Sequence, residues 1–479
     1  MKIFIIGAGF TGGLLAKALV AEHNKVVLID NSPERVRSAG DQLDCTVIEA
    51  DGNNLESLEN AGIASADVLV TMTGDDEANM IICTLVDAIY PDIMKIARVR
   101  NYDYYMHTMG VKRRGRENAT NASRPTFGID YILNPDVEAA RSIMTAMEVG
   151  AAGSAIEIGV GYSIVNLPLA EGCPLEGMQL KNLSSLEGWN FFVAFIDRDG
   201  DAMLPNGETV LSAGDHVGIL ARKEDVSKIL EFTGSKAADI DRVAIFGADN
   251  ISALTVAAQM EKTHSFWGSI WSFRKNKREL LVIDKDPKLC RELSEKFPEA
   301  RILNGDITDD GLLQNEGVCE CDLMVAASGN YERNLLTAAY LKLRGVTKAI
   351  ALTSDSAFDE IALKLGVDVT VPMRDVVIDS IISHLRGRNI NAVHSVGGRK
   401  FEIVTCEIAE KSKVVGKTLK DIGGLDGSLM LLVKQPGKDH SEIPHGDMVL
   451  QGGAQAVIIM PAGDSKVLRM FAGKSELLS

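Results

Sequence analysis

The residues best suited to chemistry stand at the start of the chain. Gly7-Ala8-Gly9-Phe10-Thr11-Gly12 follows the apolar run Ile3-Phe-Ile-Ile6, and Gly13 extends it. Glycines at this spacing suit a turn from strand into helix. Gly7 permits the tight turn, Gly9 lets backbone amides approach a pyrophosphate, and Gly12 allows the helix to pack closely on the strand. The run Leu14–Ala21 reads as that helix, its positive end aimed at the phosphates. Asp30 ends the next apolar run, 23 residues after Gly7, and Asn31 follows it. A carboxylate there accepts both ribose hydroxyls of an adenosine and repels a 2′-phosphate, which favours NAD(H), or ATP and ADP, over NADP(H). Arg35 lies close enough in sequence to move onto such a phosphate and spoil that discrimination.

Other strand ends point at the same place. Asp51 and Gly52 end the third apolar run, where an adenine would lie. Thr73 and Gly74 end the fourth, at the crevice. Arg98 and Arg100, in Ala97-Arg-Val-Arg100, end the fifth and are placed for bidentate contact with phosphates; the alternative for both is an ordinary surface ion pair. The eight histidines gather on none of these strand ends. A dehydrogenase needs an acid–base residue beside the nicotinamide. Its lack argues for a binding protein and against an enzyme, with an NAD-dependent oxidoreductase of unknown substrate as the alternative.

The elements that carry these residues are short apolar strands, 2–6, 26–30, 46–49 and 67–71, alternating with helix-length segments. Near-continuous hydrophobic strands in that order imply a parallel sheet covered on both faces. The pattern is written twice. Ile3–Gly7 returns as Val243-Ala-Ile-Phe-Gly247, Val27–Asp30 as Leu281-Val-Ile-Asp284, and Asp67–Gly74, running on to Asn79, as Asp322–Gly329, running on to Asn334. A smaller module recurs behind each copy, Gly172–Leu180 matching Lys411–Leu419. The first of these modules reads as strands around a hairpin at Arg198-Asp-Gly-Asp201. The expected architecture is α/β, with two Rossmann-like parallel sheets, each followed by a small α+β module. Its divisions are 1–133, a connecting helix 134–150 with Asn134 as N-cap and Pro135 at its first position, then 151–235, 240–388 and 391–475.

The second copy breaks the glycine pattern. Gly247-Ala-Asp249-Asn-Ile-Ser252 keeps only the first glycine, and Asp249 would set a carboxylate against a pyrophosphate. No residue aligned with Arg98 in Ala349-Ile-Ala-Leu-Thr353 is basic. This copy is expected to bind nucleotide weakly or not at all.

With these residues in view, the chain resembles the TrkA family of tandem RCK (KTN) domains over nearly its whole length. The resemblance rests on the doubled order, the Gly7–Gly12 loop with Asp30, the segment Asp67–Asn79, and Ala97–Arg100. Gly128-Ile-Asp130 with Asn134-Pro135, and Pro174-Leu-Glu-Gly177, extend it. It implies RCK N-lobes and C-lobes, a tetrameric ring beneath a Trk-type potassium-translocating membrane subunit, and nucleotide binding that gates ion flow. It also implies nucleotide roles for Gly7, Gly9, Gly12, Asp30, Asp51 and Arg98. A nucleotide sensor for some other transporter is the remaining alternative. The chain departs from the family by extra residues near His107–Arg124, with Lys112-Arg-Arg-Gly-Arg116, and by an insertion around His264–Arg278. Phe266, Trp267, Trp271 and Phe273 of that insertion recur at helical spacing ahead of Arg274, Lys275, Lys277 and Arg278, as in a partner- or membrane-docking helix.

Bulk properties set limits. At 479 residues the chain is too long for one core. A net charge of −16 opposes nucleic acid or anionic lipid as the main partner. Seven scattered cysteines, with one residue between Cys319 and Cys321, suit reduced thiols and no metal site. No apolar run reaches the ~18 residues of a membrane span, and the first strand at Lys2 leaves no room for a leader. The expected location is cytoplasmic, peripheral on the inner face of the membrane.

Overall fold

The computed structural model describes residues 1–106, 126–149, 155–158, 161–186, 191–198, 200–234, 240–264, 278–385, 390–397, 400–422, 425, 427–438, 440–464 and 466–471. The basic run Lys112–Arg116 and the aromatic stretch Phe266–Phe273, with Arg274, Lys275 and Lys277, lie outside the described residues.

Two compact units emerge. The first comprises Met1–Glu138 with Val377–Ile390 and Gly463–Lys466. Its sheet holds β1 (Lys2–Ile6), β2 (Lys25–Asp30), β3 (Thr46–Glu49), β4 (Val68–Thr71), β5 (Met94–Arg98) and β6 (Tyr131–Leu133). The order is β3-β2-β1-β4-β5-β6, parallel throughout. Ile3, Phe4, Ile5, Leu28 and Leu69 are wholly buried, because helices cover both faces. These are α1 (Phe10–Ala21), α2 (Pro33–Gln42), α3 (Leu55–Asn60) and α4 (Asp76–Ile89). β1 and β4 are neighbours, so the loops after them part and leave a crevice at the carboxyl ends of the strands.

The helix expected from Leu14 begins at Phe10, with Gly9 as its N-cap in extended conformation. Gly12 and Gly13 therefore lie in its first turn, where each costs about 1 kcal/mol against alanine. Gly12 cannot be otherwise: a Cβ there would sit 2.0 Å from the carbonyl oxygen of Gly7. Tertiary contact overrides helix propensity. In the same unit the ring of Tyr131 on β6 stacks on His384, with 3.3 Å between centroids, and the Tyr131 hydroxyl lies 3.0 Å from that of Ser380.

The second unit repeats the six-stranded sheet as β14-β13-β12-β15-β16-β17, from β12 (Arg242–Phe246), β13 (Glu279–Asp284), β14 (Arg301–Asn304), β15 (Leu323–Ala326), β16 (Lys348–Thr353) and β17 (Val369–Pro372). It also holds a five-stranded and a four-stranded antiparallel sheet, built from strands within 155–222 and 390–461. The hairpin at Arg198 is present, Arg198 pairing with Asp201. The two small sheets share one core, in which Tyr162, Phe195 and Leu220 meet Phe401, Ile403, Leu431 and Ile459. The helix Pro135–Val149 (α5) is capped by Asn134, whose Oδ1 accepts the Val137 amide at 3.0 Å. Its residues Ala139, Ile143 and Met147 are buried with Val243, Ile245 and Val371 in the core of the second unit's large sheet.

Candidate functional site

The crevice of the first unit is a cleft of about 550 Å³. Gly7, Gly9, Phe10, Thr11, Gly12, Asp30, Asn31, Asp51, Gly52, Thr73, Gly74 and Arg98 line it, so twelve of the residues singled out in the sequence converge there. Ile6, Ile29, Ala50, Met72 and Ile82 add apolar wall, and Arg35, Asn53 and Asp75 add polar groups.

Each glycine of the loop meets a different constraint. Gly7 has φ +110°, which side-chain-bearing residues avoid, and a Cβ would press on the Met72 and Thr73 backbone at 3.0 Å. Gly12 is held by helix–strand contact, as above. At Gly9 a Cβ would meet nothing within 4 Å. The space over Gly9 is therefore open at the amino end of α1, where the helix dipole and free amides favour an anion.

Asp30 is 5% exposed. Its Oδ2 accepts the Ala8 amide at 2.7 Å and its Oδ1 the Ser32 amide at 2.8 Å. The carboxylate thus ties the glycine loop to the start of α2, beyond the ribose contact read from sequence. Ala8 takes part through its amide and does not line the cleft. Arg35 stands 3.6 Å from Asp30 Oδ2.

On the far wall Asn79, fully buried, organises the ends of β4 and β5. Its Oδ1 accepts from the Thr73 amide at 3.0 Å and the Thr73 hydroxyl at 2.7 Å. Its Nδ2 donates to the carbonyls of Thr73 at 3.2 Å and Arg98 at 2.8 Å. Arg98 Nη1 donates to the Thr73 carbonyl at 3.0 Å, which holds the guanidinium over the crevice. Arg100 is not part of the lining. β5 ends at Arg98, and Arg100 lies beyond it on the surface, anchored by its amide to Asp76 Oδ2 at 2.9 Å. Sequence reasoning passed over Asn79 as a site residue, although its recurrence as Asn334 was the available signal. Asn334 makes the same bonds, to Ser328 and to the Leu352 carbonyl.

The second large sheet keeps the frame and alters the mouth. Gly247 has φ +106°, and Asp284 accepts the amides of Ala248 at 2.9 Å and Asp286 at 2.8 Å. Where Gly9 leaves open space, Asp249 turns its carboxylate back onto the amide of Ser252 at 3.3 Å. Arg333 lies over the ring of Phe246 and 3.8 Å from Asp306. A carboxylate therefore stands at this helix terminus where the first copy has open space.

Burial pushes the thiols of Cys83 and Cys406 up to about 12, which removes them as nucleophiles.

A parallel sheet with a glycine loop, a strand-end carboxylate and an open helix terminus defines a Rossmann-like α/β fold, whose frame, without the open terminus, the second large sheet repeats. TrkA-N domain models match residues 3–118 and 271–372, and a TrkA-C domain model matches 164–234. A Trk system potassium uptake protein TrkA homolog 1 of Methanosarcina mazei is 29% identical over 479 residues, 98% of this chain and 100% of that one. The Trk system potassium uptake protein TrkA of Azorhizobium caulinodans is 27% identical, covering 97% of each chain. Among solved structures, the GsuK RCK domain superposes with a TM-score of 0.55 over 98% of this chain and 94% of that one, at 15% identity. The GsuK channel bound to NAD gives the same TM-score and identity over 98% and 78%. The chain has the RCK fold and belongs to the TrkA family.

Proposed function

We propose that this chain is a nucleotide-sensing regulatory subunit that binds NAD(H), or ATP and ADP, in the first cleft and gates a Trk-type potassium-translocating membrane subunit. The observation that carries the reading is the contrast between the two large sheets of one chain. One keeps open space over Gly9 at a helix terminus, with Asp30 and Arg98 facing it, and the other fills that place with Asp249. Full-length similarity to Trk potassium uptake proteins supports this choice of partner, and the GsuK channel, which shares the fold, has been solved bound to NAD. The protein acts by binding and not by turnover, assembles as a tetramer, and works from the cytoplasmic face. No helix among the described residues is long and apolar enough to cross a membrane. A ligand that binds one conformation of the ring better than another shifts the population, and the bound channel feels that shift.

Calorimetry of the full chain with NADH, NAD, ATP and ADP should give one nucleotide per chain, lost in Gly9→Asp and kept in Asp249→Asn. Co-expression with the Trk membrane subunit should yield a complex whose potassium flux responds to the nucleotide that binds. Two nucleotides per chain surviving Gly9→Asp, or flux indifferent to nucleotide, would refute the reading.

A further inference from the structure

We propose that the second small module holds a ligand site around Gln435 for a small anion that carries its own hydroxyl or amino donor. The site shares no residue with the first cleft and does not depend on what that cleft binds.

A cavity of about 340 Å³ is lined by the turn 434–438 together with Gly453 and Gln455. Gln435 is its buried member, 6% exposed. The Nε2 of Gln435 donates to the Val449 carbonyl at 2.9 Å, which fixes the orientation of the amide. Its Oε1 is buried and accepts no hydrogen bond among the described residues. A buried carbonyl left without a donor costs free energy, and natural folds seldom keep one. The oxygen can only accept, so whatever relieves it must bring an N–H or O–H.

The repeat within the chain shows what fills this place in the first small module. Asp197 pairs across the sheet with His216, and Lys434 with Gln455. Arg198 and Gln435, one residue on, therefore hold the same position, and the turn Arg198-Asp-Gly-Asp201 matches Gln435-Pro-Gly-Lys438. Both side chains donate to a matching carbonyl at 2.9 Å, Arg198 to Val210 and Gln435 to Val449. Arg198 also meets Asp215, Nε to Oδ1 and Nη2 to Oδ2, at 2.7 Å each. Asp215 directly precedes His216, whereas the residue directly before Gln455 is Ala454. The first module closes this position with an ion pair. The second keeps the bond to the carbonyl and has no partner for the rest of the side chain.

The charge of the turn is reversed as well. Asp197 and Asp201 of the first module are Lys434 and Lys438 in the second. Lys434 makes no ion pair among the described residues. Lys438 meets Glu442 at 2.8 Å, a half-exposed pair that holds its cation weakly. Glu410 approaches Gly453 but does not line the cavity. In a chain of net charge −16, two lysines at one small cavity draw an anion against the surrounding field. An acid group for the lysines and a donor for Gln435 Oε1 together describe one occupant, a small hydroxy or amino acid anion or a hydroxylated phosphate ester.

The test is calorimetric titration of the full chain with two matched pairs of probes, L-malate against succinate and glycerol 3-phosphate against n-propyl phosphate. Within each pair the acid groups are the same and only hydroxyl groups differ. At least one hydroxylated probe should bind, about tenfold or more tighter than its partner, and the pair that shows the effect identifies the acid group. Lys434→Asp, the residue of the first module, should weaken that probe by at least about tenfold. The double variant Gln435→Arg with Ala454→Asp rebuilds the ion pair of the first module and should abolish binding, while a melting temperature at or above that of the wild type shows that it is folded. The same probe should raise the melting temperature of the wild-type chain and leave that of the double variant unchanged. The site is overturned if neither hydroxylated probe binds at about 10 mM, if the members of each pair bind alike, or if Lys434→Asp binds as the wild type does.

Discussion

The side-chain amide of Asn79 donates to the backbone carbonyl of Arg98 across 2.8 Å, joining the first turn of α4 to the last residue of β5. The same side chain makes three further bonds, all to Thr73. Asn79→Ala would remove the side-chain acceptor of the Thr73 amide and one donor each from the carbonyls of Thr73 and Arg98. The expected cost is about 1–3 kcal/mol of stability in the first unit. Hydrogen exchange should show faster opening around residues 71–79 and an unaltered second unit. Uniform exchange across both units would contradict this.

Two glycines of one loop should respond in opposite ways to the same substitution. Gly9→Ala places a methyl in open space and should leave the melting temperature unchanged while blocking the approach of a pyrophosphate. Gly12→Ala drives a methyl to 2.0 Å from the Gly7 carbonyl oxygen and should destabilise the first unit by about 1–3 kcal/mol or more, as other overpacking changes do. Thermal melts with and without NADH separate the two effects. A Gly12→Ala variant as stable as wild type would show that the loop can move away.

Arg98 is tied to the Thr73 carbonyl and faces the cleft. Removing one charge-assisted contact to a phosphate should weaken nucleotide binding by ~1.5–3 kcal/mol. Arg98→Ala is the variant to measure, with Arg100→Ala as its control, since Arg100 lies on the surface beyond the strand. Equal losses in both would mean that general positive charge, and not placement, governs binding.

Stability should carry a pH signature from the second unit. Burial, with smaller contributions from Asp375 and Asp355, pushes the Asp359 carboxyl up to about 6 from an ordinary 3.8, while the Thr370 hydroxyl at 2.6 Å pulls the other way. A carboxyl whose folded value is raised favours the folded state when protonated. That contribution is complete below about pH 4 and is lost as pH rises through about 6. Asp359→Asn retains the acceptor for Thr370 and removes the charge. It should exceed wild type in stability by up to about 2 kcal/mol above pH 6, the gap closing by pH 4. Chemical unfolding at pH 4 and pH 7 decides the point, and an equal gap at both would exclude Asp359 as the source.

Much of the first cleft was legible in the sequence because its determinants are local. A glycine loop needs only six consecutive residues, and a strand-end carboxylate follows from where an apolar run stops. The duplication was readable for the same reason: matching runs such as Val27–Asp30 and Leu281–Asp284 declare themselves without any knowledge of packing. Local spacing grouped Arg100 with Arg98, two residues away, but the strand ends between them and only Arg98 lines the cleft. Propensity failed at Phe10–Gly13, where contact between Gly12 and the Gly7 carbonyl, not intrinsic preference, sets the start of the helix.

What the sequence determined by itself was the alternation of strands and helices, the doubling, and the position of an intact glycine loop in one copy alone. The tertiary structure decided the rest. It made Asp30 a clamp on Ala8 and Ser32, placed Arg35 beside that carboxylate, and turned Asn79 into the tie between two strand ends. It also buried Ala139–Met147 of α5 against the second unit's large sheet and merged the two small sheets into one core. These relations join residues separated by many positions in the chain. Periodicity reports which face of an element is apolar, but only the folded chain chooses what that face meets.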